Sequence, residues 1–255
     1  MDPPLRVRLS SAAQMPRLIA AQARYDRIFY TGMAVAIAAI AFAGFSPTFY
    51  VRAGTLPPLS RLLLIHGVAF TLWVLFLILQ TSLIAARRRT LHMRLGVAGG
   101  VLGAAMAVLG LLAAIDALRR GATPLPGIDA RTFFIIPVAD VVLFASFLGA
   151  GFYYRRSTET HKRLMLVATI SLLGAAFGRI IPRLGSELLT RGGPISVFGM
   201  VVGLVAVAAA YDLATRRRVH HVYLWGGFAI AASVPLRLAI GGSGPWLAFA
   251  GSFLR

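Results

Sequence analysis

The chain has 255 residues, of which 58% are hydrophobic and 13% are charged, and its mean hydropathy is +0.78. A soluble domain carries about 25% charged residues, so the composition excludes a chain whose main solvent is water. The net charge is +18, but the cations lie in short clusters between long apolar runs. This pattern excludes a nucleic-acid-binding domain and favours anionic lipid headgroups as the partner.

The N-terminal segment 1–27 is basic and precedes the first apolar run. It carries five arginines together with apolar residues such as Leu18 and Ile19. The mixture is compatible with a short helix in the membrane interface and equally with a solvated tail. The apolar run that follows is too long for the core of a cleavable signal peptide and predicts a retained first span. We therefore separate this segment from a transmembrane domain over 28–255.

Seven apolar stretches are long enough to cross the hydrocarbon core of a bilayer, which takes about 20 helical residues. They predict an all-α fold, a bundle of about seven transmembrane helices. The stretches cover 28–50, 61–85, 94–118, 132–154, 163–183, 194–214 and 221–241.

The distribution of cations predicts the orientation of the bundle. Sixteen lie in the N-terminal segment and in every second connection, whereas eight lie in the alternate connections and at the C-terminus. By the positive-inside rule, the N-terminus is cytoplasmic and the C-terminus is outside. We expect a multi-pass protein of the bacterial inner membrane. Rhodopsin-like proteins are excluded, because they have the opposite orientation and the seventh span here has no lysine for a retinal Schiff base.

The arginine clusters before spans three, five and seven share a pattern. The elements at 87–95 and 155–164 both read as arginines, a short turn and His-x-Arg-Leu, and a weaker version occupies 216–224. The pattern predicts three helical hairpins in parallel orientation. The alternative is that every cytoplasmic turn needs arginines and that the histidine match is chance.

His92 and His161 are predicted to lie at the N-termini of spans three and five. Helix N-termini attract anions, and Arg94 and Arg163 add positive charge. We expect the two motifs to contact lipid headgroups independently, the alternative being one anionic ligand that both bind. A metal ion is opposed by the neighbouring cations, with Glu159 the nearest carboxylate. A haem held by both histidines, with its propionates on the arginines, remains a further alternative.

A second group of polar residues lies in the predicted outer half of the membrane. Ionisable groups at this depth normally pair with each other inside the bundle. We expect Asp140 to lie in a buried cluster with Arg179 or His66, with Arg237 as a possible further member.

Span two carries a polar stripe at seven-residue spacing, formed by His66, Trp73 and Gln80. Residues at this spacing share one face of a helix. The stripe predicts either a polar seam between helices, which we favour, or the lining of a ligand cavity.

Several short elements resemble a group of bacterial seven-helix membrane proteins to which no activity is assigned. The resemblance spans nearly the whole chain, implies the seven-helix fold and marks His66, His92, Arg94, His161 and Arg163. The His-x-Arg-Leu-Gly element is also similar to one in small helical membrane proteins associated with haem–copper oxidase assembly, although Met93 stands where such motifs often have arginine. The elements that carry the resemblance lie at 44–50, 66–67, 80–86, 91–96, 161–166 and 223–227.

Three classes of function are compatible with these features. The sequence contains no hydrolase triad, HExxH motif, Walker loop or dinucleotide fingerprint, so it defines no enzymatic activity. We favour a redox or metal/haem cofactor accessory protein. The alternatives are a transporter of small molecules or lipids, and a non-catalytic subunit of a larger membrane complex. Membrane lipids, another membrane protein or a second copy of the chain are the expected partners.

Overall fold

A computed structural model describes residues 5–52, 54, 56, 58–123 and 127–254, with side chains from residue 20 onward. The described chain is helical throughout and contains no strand. The helices are α1 (Leu5–Phe45), α2 (Arg61–Ala85), α3 (Arg89–Arg119), α4 (Ala130–Tyr153), α5 (Thr158–Ser171), α6 (Gly174–Ile180), α7 (Glu187–Arg191), α8 (Gly193–Arg216), α9 (His221–Gly241) and α10 (Gly244–Ser252), with a π-helical turn at Ser46–Tyr50 and a 3₁₀ turn at Ile181–Leu184.

Six helices are long and apolar enough to cross a membrane, and a bent pair of helices, which we call the broken span, passes the same test when its two parts are taken together. The prediction of an all-α bundle with about seven membrane-spanning helices is confirmed. The short helix α10 was not predicted. The six continuous spans are Ala20–Tyr50, Arg61–Ala85, Arg89–Arg119, Ala130–Tyr153, Gly193–Arg216 and His221–Gly241, and the broken one is Thr158–Ser171 with Gly174–Leu184.

The N-terminal segment has no helix break of its own, because α1 runs without interruption from Leu5 into the first span. The side chains of residues 1–19 lie outside the described part, and the expectation of an interfacial helix depends on them.

The broken span bends by 42° between α5 and α6. The hydroxyl of Thr169 donates to the carbonyl of Met165 at 3.0 Å, and that of Ser171 to the carbonyl of Ala168 at 2.8 Å. Such side-chain bonds to preceding carbonyls compete with the helical ladder and bend helices. The backbone N–H of Leu172 then bonds only three residues back, to Thr169. These local bonds explain why α5 ends at Ser171.

Helix α5 lies at the centre of the bundle. Its segment from Leu166 to Ser171 is buried throughout, and Val167 and Ile170 have no exposed surface. The helix packs against α1, α4, α8 and α9. Because protein surrounds it on all sides, α5 carries polar residues that a lipid-facing helix would not tolerate.

The arginine-rich turns of the bundle are brought together at one end. The turns at 86–88, 154–157 and 217–220 connect α2 to α3, α4 to α5 and α8 to α9. Arg87 and Arg217 adopt positive φ angles of 59° and 58° within the first and third of these turns. We call this region the basic end. Its cytoplasmic location and the repeat of parallel hairpins remain predictions.

Candidate functional site

The basic end brings the two motif histidines together. Each is the fourth residue of its helix, because α3 begins at Arg89 and α5 at Thr158. The rings of His92 and His161 have their centroids 6.4 Å apart, and their planes form an angle of 82°. The two imidazoles therefore form one local site between α3 and α5.

One of the two rings is held by a backbone group. His161 Nδ1 donates to the carbonyl of Gly151 at 2.8 Å, which leaves Nε2 as the lone-pair nitrogen of the neutral ring. The Nδ1 of His92 is buried and has no hydrogen-bond partner among the described residues. Gln80 Nε2 donates to the carbonyl of His92 at 3.3 Å, while its Oε1 is also buried and unpartnered. Each ring thus has one nitrogen, Nδ1 of His92 and Nε2 of His161, without a hydrogen-bond partner among the described residues.

The motif arginines behave differently from each other, and the expectation for Arg163 is wrong. Arg94 is exposed, as contact with headgroups requires. Arg163 is fully buried and reaches neither a headgroup nor an anion shared with Arg94. Its Nε and Nη2 donate to the carboxylate of Asp212 at 2.7 and 2.6 Å, and its Nη1 donates to Glu159 at 2.7 Å. The physical reason is that α8 supplies a buried carboxylate that needs this cation.

Asp26 on α1 extends the same network. Its carboxylate accepts from Lys162 Nζ at 2.8 Å, from the hydroxyl of Tyr211 at 2.7 Å and from Arg216 Nη2 at 2.6 Å. Arg216 Nη1 also donates to Asp212 at 3.1 Å. The network therefore joins α1, α5 and α8 close to the histidine pair.

The charges of this network balance. Three carboxylates face three cations, so the network offers no excess positive charge to an outside anion. It therefore stabilises the packing of these helices, and we call it the ion-pair cluster. Its members are Asp26, Glu159, Asp212, Lys162, Arg163 and Arg216.

His220 lies beside the cluster in the turn between α8 and α9. Its ring Nδ1 accepts from the backbone N–H of Val222 at 3.3 Å and caps α9, while its own backbone N–H donates to Asp212. Burial lowers the pKa of His220 to about 4, and the positive charges of Arg163 and His221 act in the same direction. The capping imidazole is consequently neutral at pH 7.

Away from the basic end, the expected pairing of Asp140 with a cation is confirmed, and the partner is Arg237, which the sequence analysis named only as a further member of the cluster. Asp140 Oδ1 accepts from Arg237 Nη1 at 2.6 Å. The expectation that Arg179 lies in this cluster is wrong: Arg179 is exposed, donates to a carbonyl of its own helix and lies over the ring of Phe45. His66 is not the partner of Asp140 either. Arg237 faces Asp140 because α4 packs against α9.

The stripe on α2 connects helices, in agreement with a polar seam. Trp73 is buried and donates through Nε1 to the hydroxyl of Thr169 on α5 at 3.3 Å. Gln80 bonds the backbone of His92 on α3. His66 is half-buried, and its Nδ1 has no hydrogen-bond partner in the described part of the chain.

The sequence analysis missed Asp26 and Asp212. A spacing signal was present for one of them, because Asp212 precedes Arg216 by four residues and Glu159 precedes Arg163 by four. Residues at this spacing face each other on a helix. No comparable signal exists for Asp26, whose strong partners come from other helices.

Comparisons of this chain with protein-family models, with curated proteins and with solved structures find no match. Within the described residues, no group of three or more His, Asp or Glu side chains has the arrangement of a metal site. A metal ion at the histidine pair would therefore have the two imidazoles as ligands, and its other ligands would come from outside the described side chains.

Proposed function

We propose that the protein is a redox or metal/haem cofactor accessory protein that holds a haem iron or a single metal ion through His92 and His161. The observation that carries the proposal is the histidine pair itself: two half-buried rings, 6.4 Å apart, that each keep one ring nitrogen without a hydrogen-bond partner among the described residues. The similarity of 92–96 to an element of haem–copper oxidase assembly proteins supports the same function.

The separation of the rings is compatible with a shared ion. Metal–nitrogen bonds of about 2.0–2.1 Å, with roughly 1.1–1.2 Å from each nitrogen to its ring centroid, put two imidazoles on one ion about 5 to 6.5 Å apart. The separation of 6.4 Å lies at the upper end of this range. If a haem iron or a metal ion were bound here, His92 and His161 would be the residues that hold it, and the group would supply the redox or metal chemistry.

The backbone anchors also favour ligand binding. Histidines that bind metals usually donate their other ring N–H to a carbonyl or carboxylate, which fixes the ring and its tautomer. The bond from His161 to the carbonyl of Gly151 has this form. Next to the second ring, Gln80 Nε2 donates to the backbone carbonyl of His92. The exposed Arg94 at the same end is available to a haem propionate.

An absorption spectrum and a metal analysis of the purified protein test the proposal. We expect a Soret band or a stoichiometric metal in the wild type, and its loss in His92→Ala and in His161→Ala. His221→Ala is the matched control, because His221 is an exposed histidine at the same end. A folded wild-type protein with neither signal after growth with haem precursor and metals would refute the proposal. So would an equal loss of signal in the control.

A transport function is the second candidate, favoured by a different observation. The broken span and the buried pair of Asp140 with Arg237 are features that transporters use at their binding sites. Proteoliposomes loaded with fluorescent phospholipid would show transbilayer movement that Asp140→Asn abolishes. Absence of movement above that of empty liposomes would eliminate lipid transport.

We also propose that the basic end faces the cytoplasm of a bacterial cell. The excess of arginine and lysine at this end supports this orientation. Reporter fusions in the three arginine-rich turns should all report a cytoplasmic location. A periplasmic signal at Arg88 would overturn the orientation.

A further inference from the structure

Arg237 is a buried arginine that uses only part of its hydrogen-bonding capacity. It is 4% exposed, and its Nη1 donates to Asp140 at 2.6 Å and to the carbonyl of Ile136 at 3.3 Å. Its guanidinium lies over the ring of Phe198, 4.4 Å from the centroid. Nε and Nη2 are both buried and have no hydrogen-bond partner among the residues that the structure describes.

These two nitrogens form one edge of the guanidinium. Arg163 shows what this edge does elsewhere in the same protein, since its Nε and Nη2 hold the two oxygens of Asp212 at 2.7 and 2.6 Å. The edge is a rigid fork that matches oxygen acceptors. Buried donors are nearly always paired, so an unpaired fork at this depth points to a ligand.

The guanidinium of Arg237 lies between the ring of Phe198 and the carboxylate of Asp140, next to the broken span. Gly174 opens α6, and a Cβ at this position would lie 3.5 Å from Phe198 and 3.8 Å from Asp140 Oδ2. The site therefore borders α4, α6, α8 and α9. Arg237 is sixteen residues from the start of α9, a distance of about 24 Å at the helical rise. The fork is consequently separate from the histidine pair at the basic end.

The charge of the site selects the class of ligand. Asp140 already neutralises Arg237, so an anion on the fork would leave one uncompensated negative charge in a region of low dielectric. An uncharged acceptor satisfies the fork without this penalty. A carbonyl oxygen has two lone pairs and accepts from both nitrogens.

We propose that the Nε–Nη2 edge of Arg237 is a binding site within the membrane for an uncharged, lipid-soluble carbonyl compound of the quinone type. The ligand enters from the bilayer, its carbonyl oxygen accepts from the fork, and its apolar body packs beside Phe198. The site does not depend on a cofactor at His92 and His161.

Binding of decyl-benzoquinone to the purified protein in detergent tests this inference, with decanoate as an anionic probe that has a similar tail. The quinone should bind saturably and raise the thermal unfolding midpoint of the wild type, whereas decanoate should do neither. Arg237→Lys keeps the charge opposite Asp140 but removes the fork, and it should weaken quinone binding at least tenfold. Arg179→Lys is the matched control and should bind as the wild type does.

A photoreactive azido derivative of the same quinone tests the wild-type protein independently of any variant. Cross-links should map to α4, α6, α8 or α9 around Arg237. Absence of saturable quinone binding would overturn the proposal. Equal binding of decanoate, unchanged binding in Arg237→Lys, or cross-links confined to the basic end would overturn it as well. A protein that contains neither haem nor metal after growth with haem precursor and metals, but still binds quinone, would refute the proposed cofactor function and leave this site intact.

Discussion

The ion pair between Arg163 and Asp212 offers the sharpest test of how the basic end is held together. Neither side chain has any exposed surface, and two short bonds join them across α5 and α8. Asp212→Asn keeps the size of the side chain and removes its charge. The guanidinium of Arg163 would then stay buried with Glu159 as its remaining carboxylate.

We expect this substitution to lower the free energy of unfolding by about 3 kcal/mol. Removing one partner of a buried pair typically costs about 3–5 kcal/mol, because the other charge is left uncompensated in a poorly solvated place. The lower end of the range applies, since Glu159 remains on Nη1 of Arg163 at 2.7 Å. Equilibrium unfolding in mixed detergent micelles with increasing SDS measures the difference.

Asp116→Asn is the matched control for Asp212→Asn. It makes the same chemical change, and Asp116 likewise pairs with an arginine four residues later, but the side chains of Asp116 and Arg120 are 31% and 51% exposed. Exposed pairs contribute about 0–1 kcal/mol. Equal losses of stability in the two variants would refute the conclusion that burial makes the Arg163 pair important.

Two further predictions concern packing and pH. Gly44→Ala should destabilise the protein, because a Cβ there would lie 2.7 Å from the backbone of Ala176. Gly32→Ala on the same helix is the control, because its Cβ would meet nothing within 4 Å, and it should be neutral or stabilising. Equal stability of the two variants in the same unfolding assay would contradict this prediction. The pKa of His220 is lowered from 6.5 to about 4 in the fold, so the unfolded chain binds the proton more readily. Stability should therefore fall as the pH drops from about 6.5 towards 4, and His220→Asn, which keeps a capping oxygen, should flatten this dependence. His221→Asn is its control, and an unchanged slope in His220→Asn would contradict the assignment.

The sequence by itself determined the class of fold and the spans. Apolar length is a local property, and a bilayer of fixed thickness turns it directly into helices that cross it. The six continuous spans and the broken one all coincide with predicted apolar stretches. The similarity between 92–95 and 161–164 also singled out the two histidines that the structure brings to 6.4 Å. What it did not predict was the bond to the carbonyl of Gly151 that anchors the ring of His161.

Only the tertiary structure decided which charges meet. Arg163 pairs with a residue 49 positions away, and Asp140 with one 97 positions away. Such choices depend on how each helix is rotated about its axis and on which helix packs against it, and neither property is encoded in apolar length. The uniform composition of the spans gives weak rotational signals, so Arg163 was expected at the headgroups and Arg179 beside Asp140. Both expectations were wrong, because a buried carboxylate pairs with a cation on the helix that packs against it.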